Sequence, residues 1–402
     1  MLHLTKSSNK EYYLVAVYAL VYCLVLICIF GFDYKPWTDE EHFYFTILEF
    51  IKSPTLGTLK HYEEMSTPLP FIIYGIWGLI FNSDLATLRI LSLLIAFTTI
   101  LSAFYFFRKA GLSNIASICS ILILTLNPYF TGVSFFVYTD MLCELFMIWS
   151  FIFLLQQNML ASCISLLLAI LCRQYMLFFI PVAALYVFSQ KDFKFSYALI
   201  KRESFLLIPV VGTGLLFIFW GGASPDNKLK TLYMYQAFAF HSDAFTAYMA
   251  ASIIYTFPLL LFAIKEIKKK YAITIFPIAV VWYYLFPVQG SQVAMESMLH
   301  IDTIGLLHKV THNLPDSAEH FFWFALFGLS CIVYAVLIEK ALKNYRSLYF
   351  FICSSWLFFL GTMCLSYLTW EKYLLPVLPV LLLFGGILFD ELRLKNFNRI
   401  RE

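Results

Sequence analysis

Residues 70–81 read Pro70-Phe71-Ile72-Ile73-Tyr74-Gly75-Ile76-Trp77-Gly78-Leu79-Ile80-Phe81. Whether this apolar run crosses a membrane decides on which side every later segment lies. As a helix it would span about 18 Å, against a bilayer core of ~30 Å. Length alone does not decide, because Met159 to Cys172 is hardly longer. Charge does, since Lys and Arg concentrate in short cytoplasmic loops.

Twelve other apolar runs read as spans: Tyr12 to Phe32, Leu88 to Phe107, Ile115 to Phe136, Met141 to Leu155, Met159 to Cys172, Tyr175 to Phe188, Phe205 to Trp220, Ala247 to Ile264, Ala272 to Phe286, Phe321 to Leu337, Leu348 to Leu368 and Tyr373 to Phe389. If residues 70–81 stay on one side, the inner loops hold 19 of the 28 basic residues. If they cross, the split becomes 8 inside and 20 outside. The first arrangement is expected, with residues 70–81 an interfacial or re-entrant helix. Pro68 and Pro70 mark its start, and Tyr74 and Trp77 suit the headgroup zone.

Composition agrees. The chain is 61% hydrophobic, 19% aromatic and only 13% charged, with a mean hydropathy of +0.78, values that exclude a water-soluble globule. The expected fold is an all-α polytopic membrane protein of about twelve transmembrane helices, one domain over 1–402. Its two long extracytoplasmic loops are 33–87, which carries interfacial helices, and 290–320. The net charge of +3 is spread over short loops, so nucleic acid is not an expected partner. Nine cysteines lie in or beside apolar runs with no ligand spacing, and read as small core residues. Lys6 and Lys10 precede the first run, which has no small-residue cleavage site and reads as a retained helix.

This topology places both termini in the cytoplasm and sends four features to the outer face: Asp39 with Glu40, Asp140, Arg173 with Gln174, and Glu371 with Lys372. Each sits at a helix end, where capping or a plain surface charge is the ordinary explanation. Four together on one face point to a site. The 290–320 loop carries a helical apolar stripe, Met295, Met298, Leu299, Ile301, Ile304, Leu307, Val310 and Leu314. His308 and His312 are spaced as a metal pair could be, but lack a third ligand in a recognised pattern, so they read as surface histidines and no metal is expected. No nucleotide-binding or hydrolase signature and no internal repeat is present.

The ordered stretches Thr38-Asp39-Glu40, Ser66-Thr67-Pro68-Leu69-Pro70, Thr87-Leu88-Arg89, Tyr138-Thr139-Asp140, Arg173-Gln174 and Glu371-Lys372-Tyr373-Leu374-Leu375-Pro376 resemble the GT-C superfamily of polytopic glycosyltransferases. They are most similar to its dolichyl-phosphate-glucose α-1,2-glucosyltransferases. The sequence differs from that family in placing Glu41 ahead of His42 and Phe43, and in carrying Lys372 where Arg is common.

The resemblance implies an inverting transferase that takes a sugar from a dolichyl- or undecaprenyl-phosphate donor. The acceptor would be a lipid-linked glycan or another extracytoplasmic glycan, lipid or protein. The membrane would be a bacterial inner membrane or the endoplasmic reticulum.

The chemistry asks for little. A sugar on a polyprenyl monophosphate already has a good leaving group, so one carboxylate beside the acceptor hydroxyl is enough as base. The match assigns that base to Asp39, ahead of Glu40 and then His42, with Asp140 orienting the acceptor or a base-side hydrogen bond. Arg173 would meet the departing phosphate with a planar fork, and Lys372 would add a point charge. Gln174 and Glu371 complete the substrate-binding set, and no cofactor is required. A transporter or flippase of lipid-linked sugars is the alternative, and predicts ionisable groups near the midplane instead of helix ends. A polysaccharide polymerase is a further one.

Overall fold

The computed structural model describes residues 9–194, 196–226, 240–288, 305–311, 313–366 and 369–401. Among them all regular structure is helical, and the apolar helices make the chain a polytopic membrane protein. Most of the 290–320 loop, including His312 and the first part of its apolar stripe, lies outside the described residues.

The chain packs into two compact units, Met1–Ala184 with Lys194–Tyr235, and Leu185–Phe193 with Gln236–Glu402. In the first unit the helices are α1 Asn9–Phe30, α2 Glu40–Lys52, α3 Leu56–His61, α4 Leu69–Ile80, α5 Leu85–Lys109, α6 Asn114–Leu126, α7 Pro128–Phe135, α8 Asp140–Leu155 and α9 Met159–Ile170. A 3₁₀ turn at Gln174–Phe178 leads into α10 Phe179–Ser189, which from Leu185 on counts with the second unit, and α11 Tyr197–Glu203 and α12 Leu207–Trp220 belong to the first again. In the second unit they are α13 Ser242–Tyr255, α14 Lys269–Leu285, α15 Leu306–Thr311, α16 Asp316–Lys343, α17 Leu348–Met363 and α18 Leu378–Arg401, with 3₁₀ stretches at Leu259–Glu266 and Glu371–Val377.

Every expected span falls on helix, but not every span is one helix. Among the described residues five helical stretches are long and apolar enough to cross a bilayer singly, and two bent pairs, each taken as one span, bring the number to seven; shorter apolar helices account for further runs. The run from Ile115 to Phe136 breaks by 71° between α6 and α7. The cause is local: Asn127 accepts from Tyr129 N and Phe130 N, and Pro128 opens the next helix, a start signal that overrides continuous apolarity. The run from Ala247 to Ile264 bends by 105° beside Pro258.

Helix α4 is twelve residues long, about 18 Å and too short to span. Tyr74 is not at a headgroup surface as its residue type suggested. It is 1% exposed and its hydroxyl meets Ser92 Oγ at 2.8 Å, while Trp77 Nε1 donates to Thr87 O.

Helix α5 is the centre of the first unit, touching α1, α4, α6, α7 and α8. It does so through small buried residues, Ser92, Ala96, Thr99, Ser102 and Ala103, which let helices approach where lipid gives no hydrophobic drive. Thr99 bonds Ile95 O of its own helix, so burying it leaves no bare hydroxyl. By contrast α1 and α12 are apolar all round and leave Leu14, Leu20, Ile29, Val210, Leu215 and Ile218 exposed, the surface a bilayer covers. In the second unit α16 plays the central part, against α13, α14 and α17.

Where α18 crosses residues 259–266, Gly385 sets the distance: a Cβ there would lie 2.7 Å from Leu259 Cβ and 3.0 Å from its carbonyl carbon. Backbone cannot step aside as a side chain can. Gly385→Val should therefore lower stability by about 1–3 kcal/mol, whereas Gly361→Ala in α17, with nothing within 4 Å, should be neutral or mildly stabilising. Thermal unfolding in detergent would measure both, and equal midpoints would contradict the packing account.

Candidate active site

At one end of the first unit, a buried ion pair gathers the chain that follows α1. Glu40 and Arg89 are both 0% exposed. Arg89 donates from Nε to Glu40 Oε1 at 3.0 Å and from Nη2 to Glu40 Oε2 at 2.7 Å. Its remaining N–H groups go to the carbonyls of Phe32, Tyr34 and Lys35 at 2.9, 2.7 and 3.3 Å. Glu40 also accepts from Trp37 N at 3.1 Å and Val137 N at 2.9 Å. The guanidinium lies 5.4 and 5.3 Å from the ring centroids of Phe135 and Phe136. All five donors of the fork are used, so the pair has the complete set of partners that burial of charge demands.

Asp39 precedes this staple as the residue before α2 and is partly exposed. Thr38 before it has φ +49°, a left-handed conformation that a β-branched residue adopts only under constraint. The constraint is Tyr138, whose hydroxyl contacts Thr38 Oγ1 and donates to Trp37 O at 3.0 Å. Burial, with the Asp39 charge adding to it, pushes the Tyr138 phenol above its usual range, so it stays a neutral donor. Residues 37–39 and 138–140 are thereby tied together. His42 lies on α2 with its side chain exposed.

Asp140 opens α8 at 1% exposure, and its Oδ2 accepts from Arg173 Nη2 at 2.6 Å. Arg173 also sits over Phe43, 5.9 Å from the ring centroid, and Phe43 meets Tyr138 edge-on. Gln174 Nε2 donates to Met65 O at 2.6 Å. Thr67 and Leu69 bond the carbonyls of Ile170 and Leu171, so the loop before α4 is fastened to the end of α9. Asp39, Glu40, Asp140, Arg173 and Gln174 thus come together in one unit.

Glu371 and Lys372 belong to the second unit. Glu371 is 3% exposed and accepts from Tyr255 Oη, from Leu307 N at 3.1 Å, and from His308 N at 3.0 Å and Nδ1 at 2.7 Å. It fixes the start of α15. Gly305 is required there: its φ is +151° and an added Cβ would stand 2.4 Å from Glu371 Cδ. Lys372 lies 3.9 Å from the Trp370 ring centroid, a cation–π contact. His308 is not a surface histidine as its loop position suggested, but is 6% exposed beside Trp323.

Several partners were not evident from the sequence. Arg89 and Tyr138 fall in the short matches to the superfamily, which give them no role. A Glu inside the apolar run Met141 to Leu155 is itself a signal, and Glu144 shows that charge does not lie only at helix ends.

No protein-family model and no curated protein matches the chain. Among solved structures it is similar to the S. cerevisiae protein O-mannosyltransferase Pmt1-Pmt2 complex bound to the sugar donor. That match has 17% identity and a TM-score of 0.41, over 54% of this chain and 34% of that one, so this chain spans about a third of that protein's length. It is also similar to ArnT from Cupriavidus metallidurans. Bound to undecaprenyl phosphate, ArnT matches at 13% identity and TM-score 0.48, over 95% of this chain and 78% of that one. In the apo state the figures are 13%, 0.46, 93% and 76%.

Removing Arg89 leaves Glu40 buried without a counter-charge and bares three carbonyls. Arg89→Ala should cost about 3–5 kcal/mol, and Arg89→Lys should recover only part, since three donors cannot replace five. Thermal unfolding in detergent would read the loss; an Arg89→Ala protein that melts with the wild type would refute the staple.

Proposed function

We propose that the chain is an inverting glycosyltransferase that moves a sugar from a polyprenyl-phosphate donor to an acceptor hydroxyl on the extracytoplasmic side. One observation carries the reading. A partly exposed carboxylate, Asp39, sits on a constrained turn that Tyr138 ties to the turn bearing Asp140 and its guanidinium partner Arg173. A base and a cation are thus held at one end of a membrane bundle, which is what transfer from a lipid phosphate requires. The other end of the same unit carries Arg108 and Lys109, which supports an extracytoplasmic site by the bias of basic residues.

In this reading Asp39 takes the proton of the acceptor hydroxyl as its oxygen forms the bond to C1. The bond from C1 to the phosphate oxygen breaks, and polyprenyl monophosphate leaves with its electron pair. Arg173 meets the charge gathering on that phosphate, and Asp140 keeps the guanidinium in place. Glu40, with four donors around it, serves as the orienting group and not the base. Because a monophosphate ester carries little charge, the cationic side chain offsets it and chelators should leave the rate unchanged. The short matches to the dolichyl-phosphate-glucose enzymes make a glucosyl donor the first to try.

Purified protein given a radiolabelled polyprenyl-phosphate sugar should release free polyprenyl phosphate, and Asp39→Asn should slow release by ~10²- to 10⁴-fold. Equal turnover in both proteins would remove Asp39 from the mechanism. No turnover with any donor would leave the transporter reading standing instead.

A further inference from the structure

Glu144 has no part in the reaction just described, and its surroundings are costly for a carboxyl group. It lies one turn into α8 at 1% exposure, among the buried Met141, Cys143, Met147 and Ile148. Neither of its oxygens has a hydrogen-bond partner among the described residues. Asp140 stands four positions earlier, on the same helix face. Its Oδ2 holds Arg173, while its Oδ1 also lacks a hydrogen-bond partner among the described residues.

Cys143 on α8, Cys172 and Arg173 just beyond α9, and the Tyr138 phenol are ionisable groups beside the pair. Of these only Arg173 is a cation. Three bare carboxyl oxygens in a dry site need hydrogen-bond donors. One arrangement engages two of the three from within: the Glu144 carboxyl O–H directed at Asp140 Oδ1, directly or across a single buried water.

We propose that Glu144 is a positioning residue whose carboxyl O–H is held on Asp140 Oδ1, so that Asp140 spends part of its charge on Glu144 and leaves the Arg173 guanidinium positive toward a donor phosphate. The inference rests on the reading of Arg173 as the phosphate-binding cation. Without that O–H, Asp140 faces Arg173 as a full carboxylate, and the guanidinium has less charge to offer a phosphate. Donor affinity falls, while the proton transfer at Asp39 is untouched.

Donor KM and kcat, measured side by side for wild type, Asp39→Asn, Glu144→Leu, Glu144→Met and Glu144→Gln, test this. The Leu and Met variants should raise donor KM by about five- to tenfold and also lower kcat, because the same guanidinium meets the extra charge that gathers on the departing phosphate. Glu144→Gln, whose amide can still donate to Asp140 Oδ1, should stay close to wild type. The apolar variants should still fold, since the hydrogen bond lost at Asp140 Oδ1 is set against the removal of a buried polar group.

Unchanged donor KM in the apolar variants, or a Gln variant as impaired as they are, would overturn the proposal. So would loss of folding in both apolar variants, which would make Glu144 structural. Asp39-dependent turnover with unaffected Glu144 variants would sink this inference alone, whereas a wild type inert toward every donor would sink it together with the transferase reading.

Discussion

The loop that carries the candidate base exists in its observed form because Glu40 and Arg89 meet with nothing left over. Two opposite charges, both withdrawn from solvent, would be a heavy load on any fold if even one N–H or oxygen were bare. Here the guanidinium uses all five donors and the carboxylate accepts four. The pair joins the chain after α1 to the start of α5 and, through Val137, to the turn before α8. Asp39 is positioned as a by-product, one residue ahead of the anchor.

Donor count separates the carboxyl groups of this protein into two kinds. Glu40 and Glu371 each accept four hydrogen bonds, with no capacity remaining for a ligand, and each pins a segment of chain. Asp140 and Glu144 are as deeply buried, yet keep oxygens without hydrogen-bond partners among the described residues. All are carboxyl groups, and all but Glu144 open a helix. Only the surroundings tell a fastener from a group with chemistry still to offer.

The same distinction explains how much could be read in the chain beforehand. Helix positions were legible because hydropathy is a local property, and α4 was recognisable as short for the same reason. The breaks at Asn127-Pro128 and Pro258 were written in the residues too, but a continuous apolar run masks a turn signal when only hydropathy is followed. The turns at Asp39 and Asp140 were visible as charge at span ends. What could not be read was pairing. Glu40 and Arg89 are 49 positions apart, and nothing periodic connects them. Nor does any sequence rule foretell that Glu371 accepts from the backbone of residues 307 and 308.

The way the staple grips its loop has an evolutionary corollary. Arg89 holds the carbonyls of Phe32, Tyr34 and Lys35, and Glu40 holds the amides of Trp37 and Val137: main-chain atoms that every amino acid possesses, save the N–H that proline lacks. The side chains of Tyr34 and Trp37 stand exposed and take no part in that grip. The outward side chains of such a loop can be rewritten without changing its course, so selection can retune the surface it presents while the turn bearing Asp39 stays where it is.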